Sequence, residues 1–254
     1  MISKHRKKIQ IILAALFLTT IGGAAFAQSF NLADMLPQGQ GAASGRIIQY
    51  LMILTVLSLA PGIMVMVTSF TRFAVALSFL RSGMGLQTTP ANIIMVSLAL
   101  FMTFYVMAPT FDQAWRNGLQ PLINNEISEE AAYDEMTKPF RTFMLNNIRE
   151  KDLVLFDELA VSSFGYDKDA PVEKLDLRVV IPAFMISELR RGFEIGFLIA
   201  LPFVVIDMIV ATLTMSMGMM MLPPTVISMP FKVLFFVLVD GWHLLTAGLI
   251  RSFV

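Results

Sequence analysis

Three methionines in a row, Met219, Met220 and Met221, stand immediately before Leu222-Pro223-Pro224. Methionine is unbranched, polarizable and adaptable, so it fills irregular gaps. Successive residues of a helix point about 100° apart, so on a helix the three would not share one stripe. On the bent segment that Pro223-Pro224 predicts, they could project together. Supplied by several copies, such side chains could close a hole against water and ions and yield to a passing chain, as hydrophobic constrictions gate by dewetting. Ordinary core packing is the competing reading, and pattern alone leaves both open. The whole chain holds 19 methionines, and seven of them lie between Met208 and Met229.

Two acids stand in otherwise apolar runs: Asp207 within 195–221 and Asp240 within 233–250. A lone carboxylate at mid-bilayer costs at least ~2.5–3.5 kcal/mol, so each should face a bundle interior, a partner chain or water. Lys232, eight residues before Asp240, is the nearest opposite charge in sequence. Asp207, Lys232 and Asp240 are therefore read as intramembrane charge pairing, within one chain or between subunits. The functional alternative is a proton-coupled carrier or channel using Asp207 and Asp240. One histidine, His243, lies beyond the N-terminal segment to extend such a relay, which weighs toward structural pairing.

Other chemistries are excluded or unsupported. With no cysteine there is no disulfide, thiolate nucleophile, Cys-ligated zinc or iron–sulfur cluster. No H-E-x-x-H metal motif, G-x-S-x-G elbow or glycine-rich phosphate loop is present. The reading is a non-enzyme with no catalytic, cofactor-binding or metal site.

The elements that must carry these residues follow from composition. Of 254 residues, 56% are hydrophobic and only 15% charged, and mean hydropathy is +0.69, against about 25% charged residues in soluble domains. The formal net charge of zero is made of unequal parts. Residues 1–27 carry Lys4, Arg6, Lys7 and Lys8 and no acid, then an apolar run ending Ala25-Phe26-Ala27. This reads as a signal peptide cut after Ala27, followed by a flexible leader over 28–45. Residues 46–111 hold a first hydrophobic helical pair, 112–194 an acidic and mostly helical segment with 16 acids against 10 bases, and 195–254 a second hydrophobic pair with the methionine loop. About 20 apolar residues span a bilayer core, and in lipid such spans must be helices.

Four spans in two hairpins give an all-α membrane fold. With the N-terminus outside, the loops at 72–90 and 222–232 face the cytoplasm, and both carry bases without acids, as the positive-inside rule expects. The acidic middle then lies outside. Pro61 and Pro202 are expected to break or kink the spans, and Pro139 to open a helix in the middle. Phe140, Phe143, Met144 and Ile148 share one helical face; Leu153, Leu155, Phe156 and Leu159 form a second apolar cluster; 163–174 reads as a loop. Gly192 and Gly196 have the G-x-x-x-G spacing that permits close helix contact.

Many of these residues together resemble the FliP family of flagellar biosynthesis proteins, part of the type III secretion export gate. The resemblance rests on Thr68-Ser69-Phe70-Thr71-Arg72, Phe143-Met144-Leu145, Ser187-Glu188-Leu189 and Ile206-Asp207. It is most specific over Met217–Met221, Pro223-Pro224, Pro230-Phe231-Lys232 and Phe236–Trp242. It implies a multi-pass protein of the bacterial inner membrane at the flagellar basal body, with a periplasmic segment. It also implies a homo-oligomer, pentameric, that forms with FliQ and FliR and other export components a pore for unfolded flagellar subunits. Under it, Met219–Met221 match a loop acting as a gasket round the pore, and Phe143, Phe156 and Glu188 are subunit-contact candidates outside the membrane. Membrane lipid is the surrounding medium, and no nucleic acid is implied. The family's assembled helices form a raised complex rather than a flat four-span bundle. Arg190-Arg191-Gly192 and Glu194 depart from the family pattern.

Overall fold

A computed structural model describes residues 43–86, 88–166, 171–172, 175–218 and 223–253. Every regular element among them is helical: α1 (Ala43–Val67), α2 (Phe70–Gly83), α3 (Asn92–Ala114), a π-helical turn (Trp115–Leu119), α4 (Gln120–Ile123), α5 (Glu129–Asn147), α6 (Glu150–Phe164), α7 (Leu177–Ser216), α8 (Pro224–Leu238) and α9 (Gly241–Arg251). Residues 43–55 belong to a first compact unit and 56–253 to a second. In the first, Ile48, Leu51, Met52 and Leu54 are exposed. All that follows concerns the second.

Local signals set the helix ends. Ser128 caps α5, its hydroxyl accepting from the Ala131 amide at 3.3 Å, and Glu129 and Glu130 complement the positive end of the helix dipole. Asp176 caps α7 by accepting from the Arg178 amide at 2.8 Å. Gly165 ends α6 in the left-handed region, at φ 67°.

Prolines do less than the sequence suggests. Helices run on through Pro61, Pro182 and Pro202, and Pro139 lies inside α5 rather than opening it. Each proline removes one amide donor; Pro202 lines a groove with Phe235, Phe236 and Leu245, where neighbouring helices make that loss tolerable, whereas Pro61 is exposed. The break that does form is between α8 and α9, which meet at 66° where Asp240 takes φ 51° and ψ 51°.

The larger departure is α2, which the sequence presents as part of a basic loop. It is a helix at the centre of the unit. Phe73, Ala76, Leu77 and Leu80 pack with Met95, Ala99 and Met102 of α3, Phe203 of α7, Phe236 of α8 and Leu245 and Leu249 of α9. A second cluster joins Met144 of α5 to Leu175, Val180 and Phe184.

Helix α2 runs parallel to α7. A Cβ added at Gly192 would lie 3.0 Å from Val75, one at Gly196 2.7 Å from Phe79, and one at Gly83 3.3 Å from Ala200. The G-x-x-x-G pair is thus the seat for α2, and any larger residue would push the two helices apart.

This packing differs from a flat four-span arrangement in one respect. That arrangement places Arg72 on one side of a hydrocarbon core about 30 Å thick and Glu188 on the other; here the two are bonded. The far end of α3 brings Phe111 to a cavity shared with Leu177 and Ile181, while α7 continues to Ser216. The apolar stretches of α3 and α7 are therefore offset along the axis by roughly 20 Å at 1.5 Å per residue. Three helices are long and apolar enough to cross a membrane, with the bent α8–α9 pair a fourth candidate, among the described residues.

Candidate functional site

Helix α2 carries Arg72 into a site with no access to water. Its Nε donates to Glu188 Oε2 at 2.9 Å and its Nη2 to Oε1. Both side chains are fully buried. Nη1 donates to the Ser252 carbonyl at 2.8 Å and to its hydroxyl at 3.0 Å, and the Phe253 ring lies 3.5 Å from the guanidinium carbon. One cation thus ties α2, α7 and the segment after α9 together. The planar fork of arginine can serve all these partners at once; a lysine ammonium could not.

Beside it is a second carboxylate. Asp152 accepts from Ser187 Oγ at 2.6 Å and from Arg149 Nε and Nη2 at 2.8 Å each. Ser187 in turn accepts from the Arg149 amide at 3.1 Å. Burial pushes the Asp152 carboxyl up, but the Ser187 and Arg149 hydrogen bonds outweigh it and hold the group below its ordinary value.

The sequence-predicted charges of the apolar halves separate. Lys232 Nζ donates to Asp207 Oδ2 at 2.6 Å and to the Gly83 carbonyl at 2.9 Å. Ser228 Oγ donates to Asp207 Oδ1. Lys232 is buried, and the Asp207 side chain is one-third exposed. Asp240 is not part of this group. It sits exposed at the α8–α9 bend and makes no side-chain hydrogen bond or ion pair among the described residues.

Of the contact candidates, Phe143 packs on Phe184 and Phe253, with ring centroids 5.9 Å apart in each case. Phe156 is half-buried on α6. Glu188, satisfied by Arg72, presents no surface in the single chain. Met219, Met220 and Met221 lie outside the described residues. On either side of them α7 ends at Ser216, Gly218 takes φ 73°, and α8 starts at Pro224. An apolar groove of about 380 Å³ between the two helices is lined by Val210, Leu213, Met217, Ile227 and Phe231, among others. Among the described residues no cluster of three His, Asp or Glu side chains could hold a metal.

Sequence reasoning had no route to Ser252, Phe253 or the Gly83 carbonyl as partners. Two are backbone acceptors and one is a ring, and each meets a cation remote in sequence. Ser187, next to Glu188, was visible only as part of a motif.

The model of the FliP family matches residues 53–249. The chain is 61% identical over 240 residues to the flagellar biosynthetic protein FliP of Rhizobium meliloti, covering 93% of this chain and 96% of that one. It is 56% identical to that of Agrobacterium fabrum, covering 96% and 99%. The FliP of Bacillus subtilis is 48% identical over 206 residues, 81% of this chain and 91% of that protein.

Proposed function

The chain belongs to the FliP family, and from that premise we propose that it is a non-enzymatic subunit of the flagellar type III export gate in the bacterial inner membrane. Several copies, pentameric by family resemblance, assemble with FliQ and FliR and other export components into a pore for unfolded flagellar proteins. Met219–Met221 act as the gasket, and the acidic segment 112–194 is periplasmic. The observation that carries this reading is the family match over nearly all of the described chain. It is supported by the apolar surface a single copy leaves bare: Phe193, Phe197, Leu198 and Met208 on α7 are each more than half exposed. Such a surface calls for lipid or protein cover.

Replacing Met219–Met221 with alanine should make membranes leaky to small ions while export continues at least in part. Unchanged conductance would count against the gasket. A chain that purifies as a monomer with FliQ and FliR present would sink the assembly claim. The carrier alternative predicts that Asp207→Asn abolishes transport with assembly intact. The Asp207 carboxylate is tied to both Lys232 and Ser228, which favours its structural reading.

A further inference from the structure

Charge bookkeeping in the apolar halves leaves two described residues opposite in sign and level in depth. Arg72 and Lys232 are used within the chain. Asp240 has no ionic partner among the described residues, and neither has Arg81. Gly83, two residues after Arg81, lies against Ala200 and Phe203. Val239 and Gly241, on either side of Asp240, line a groove with Ile199, Pro202 and Phe203. Both charges are therefore level with residues 199–203 of α7.

They point to different sides. Arg81 is nine residues after Arg72 on one helix, about two and a half turns, so it projects opposite to the face that meets α7. It stands at a groove of about 190 Å³ between α2 and α3, lined also by Ala74, Ser78, Asn92 and Val96. Asp240 instead tops a bend that lies against α7. Its neighbours Val237, Leu238 and Leu244 are each at least 60% exposed. An unpaired carboxylate among bare apolar side chains is a costly group in lipid. The molecule thus has an apolar ridge ending in an anion, and an apolar groove ending in a cation.

We propose that the Asp240 bend of one copy seats in the α2–α3 groove of the next, with Asp240 paired to Arg81 of that second copy. The contact uses two different faces of the protomer, so it repeats head to tail and generates a ring or a shallow helix. It rests on the proposed homo-oligomeric gate and assigns one of its joints. Arg251 is a further cation with no ionic partner among the described residues, but it closes α9 about 16 Å from Asp240 at 1.5 Å per residue, at another depth.

The test uses the full chain, co-expressed with FliQ and FliR, extracted in mild detergent and sized by native mass spectrometry. Asp240→Arg and Arg81→Asp should each lower the multimer fraction at least about tenfold, since like charges facing each other oppose assembly. The double exchange should restore it to within about threefold of the unsubstituted protein, since the pair is re-formed with its sense reversed. The chain has no cysteine, so Arg81→Cys with Asp240→Cys should give a ladder of covalent multimers of this chain on oxidation. Normal multimers from both single variants, no rescue by the exchange, or no ladder from the oxidised double-cysteine chain would each overturn the pairing. Those results leave the gate reading standing if the unsubstituted chain is multimeric. A monomeric unsubstituted chain would defeat both.

Discussion

Arg72 and Glu188, 116 positions apart in the chain, form an ion pair with no exposed surface on either side chain. Removing one partner leaves the other charged and buried, which typically costs about 3–5 kcal/mol. Arg72→Met and Glu188→Leu should each cause that loss, read as a lowered unfolding midpoint in detergent. The double variant should recover part of it, because apolar residues can replace a buried pair at little cost. Recovery stays partial, since Ser252 loses its donor. Single variants as stable as the unsubstituted chain would show that the pair does not hold α2 to α7.

The parallel seat of α2 on α7 makes a second prediction. Gly196→Ala places a methyl group 2.7 Å from the Phe79 ring. The helices must separate, and overpacking of this kind costs about 1–3 kcal/mol. Gly248→Ala is the matched control, with nothing within 4 Å of the added carbon; it should stabilise α9 by about 0.5–1 kcal/mol. Thermal unfolding of the two variants should move in opposite directions.

These two contacts also mark where the sequence was legible. The apolar helices and the weight of the 217–242 region could be read from period, composition and resemblance; half of the 163–174 loop lies outside the described residues. Helix α2 could not. Its Arg72 and Arg81 look like the charges of a cytoplasmic loop until Glu188 is seen to neutralise one of them, and no local pattern links positions so far apart. Pro61 and Pro202 do not end their helices. A proline's cost is local, and at Pro202 the packing that offsets it is supplied by α8 and α9, which are distant in sequence. Lys232 is nearest in sequence to Asp240, and the sequence groups it with both acids; a helical hairpin brings it to Asp207.

Asp152 sets a pH dependence. Its carboxyl is held below the ordinary value by Ser187 and Arg149, which overcome the opposing effect of burial. A depressed folded value means the unfolded chain takes up the proton first as pH falls. The stabilisation is complete above the unfolded carboxylate value, about 3.9, and is lost as pH drops through the folded value. Unfolding midpoints measured from pH 7 to pH 2 should therefore decline below about pH 4. Asp152→Asn should start lower and fall less steeply. A parallel decline in both proteins would assign the acid sensitivity to other groups.

The Asp207–Lys232 pair predicts an asymmetry. Lys232 serves two acceptors, Asp207 Oδ2 and the Gly83 carbonyl. Lys232→Met leaves the partly exposed Asp207 carboxylate with Ser228 as its one remaining donor and takes the donor from the Gly83 carbonyl; an unpaired polar group costs about 1–3 kcal/mol when fully buried. Asp207→Asn removes the anion but keeps one oxygen for Lys232, its NH2 donating instead to the Ser228 hydroxyl oxygen, and Lys232 retains Gly83. Its long stem also lets the ammonium shift toward a more polar level. Lys232→Met should therefore lower the unfolding midpoint in detergent more than Asp207→Asn does. Exchanging the two charges should not restore stability, because a carboxylate at position 232 would face the Gly83 carbonyl, acceptor against acceptor. Full recovery in the exchanged variant would mean that the attraction between the two charges, and not the three-way link to the end of α2, holds α8 in place.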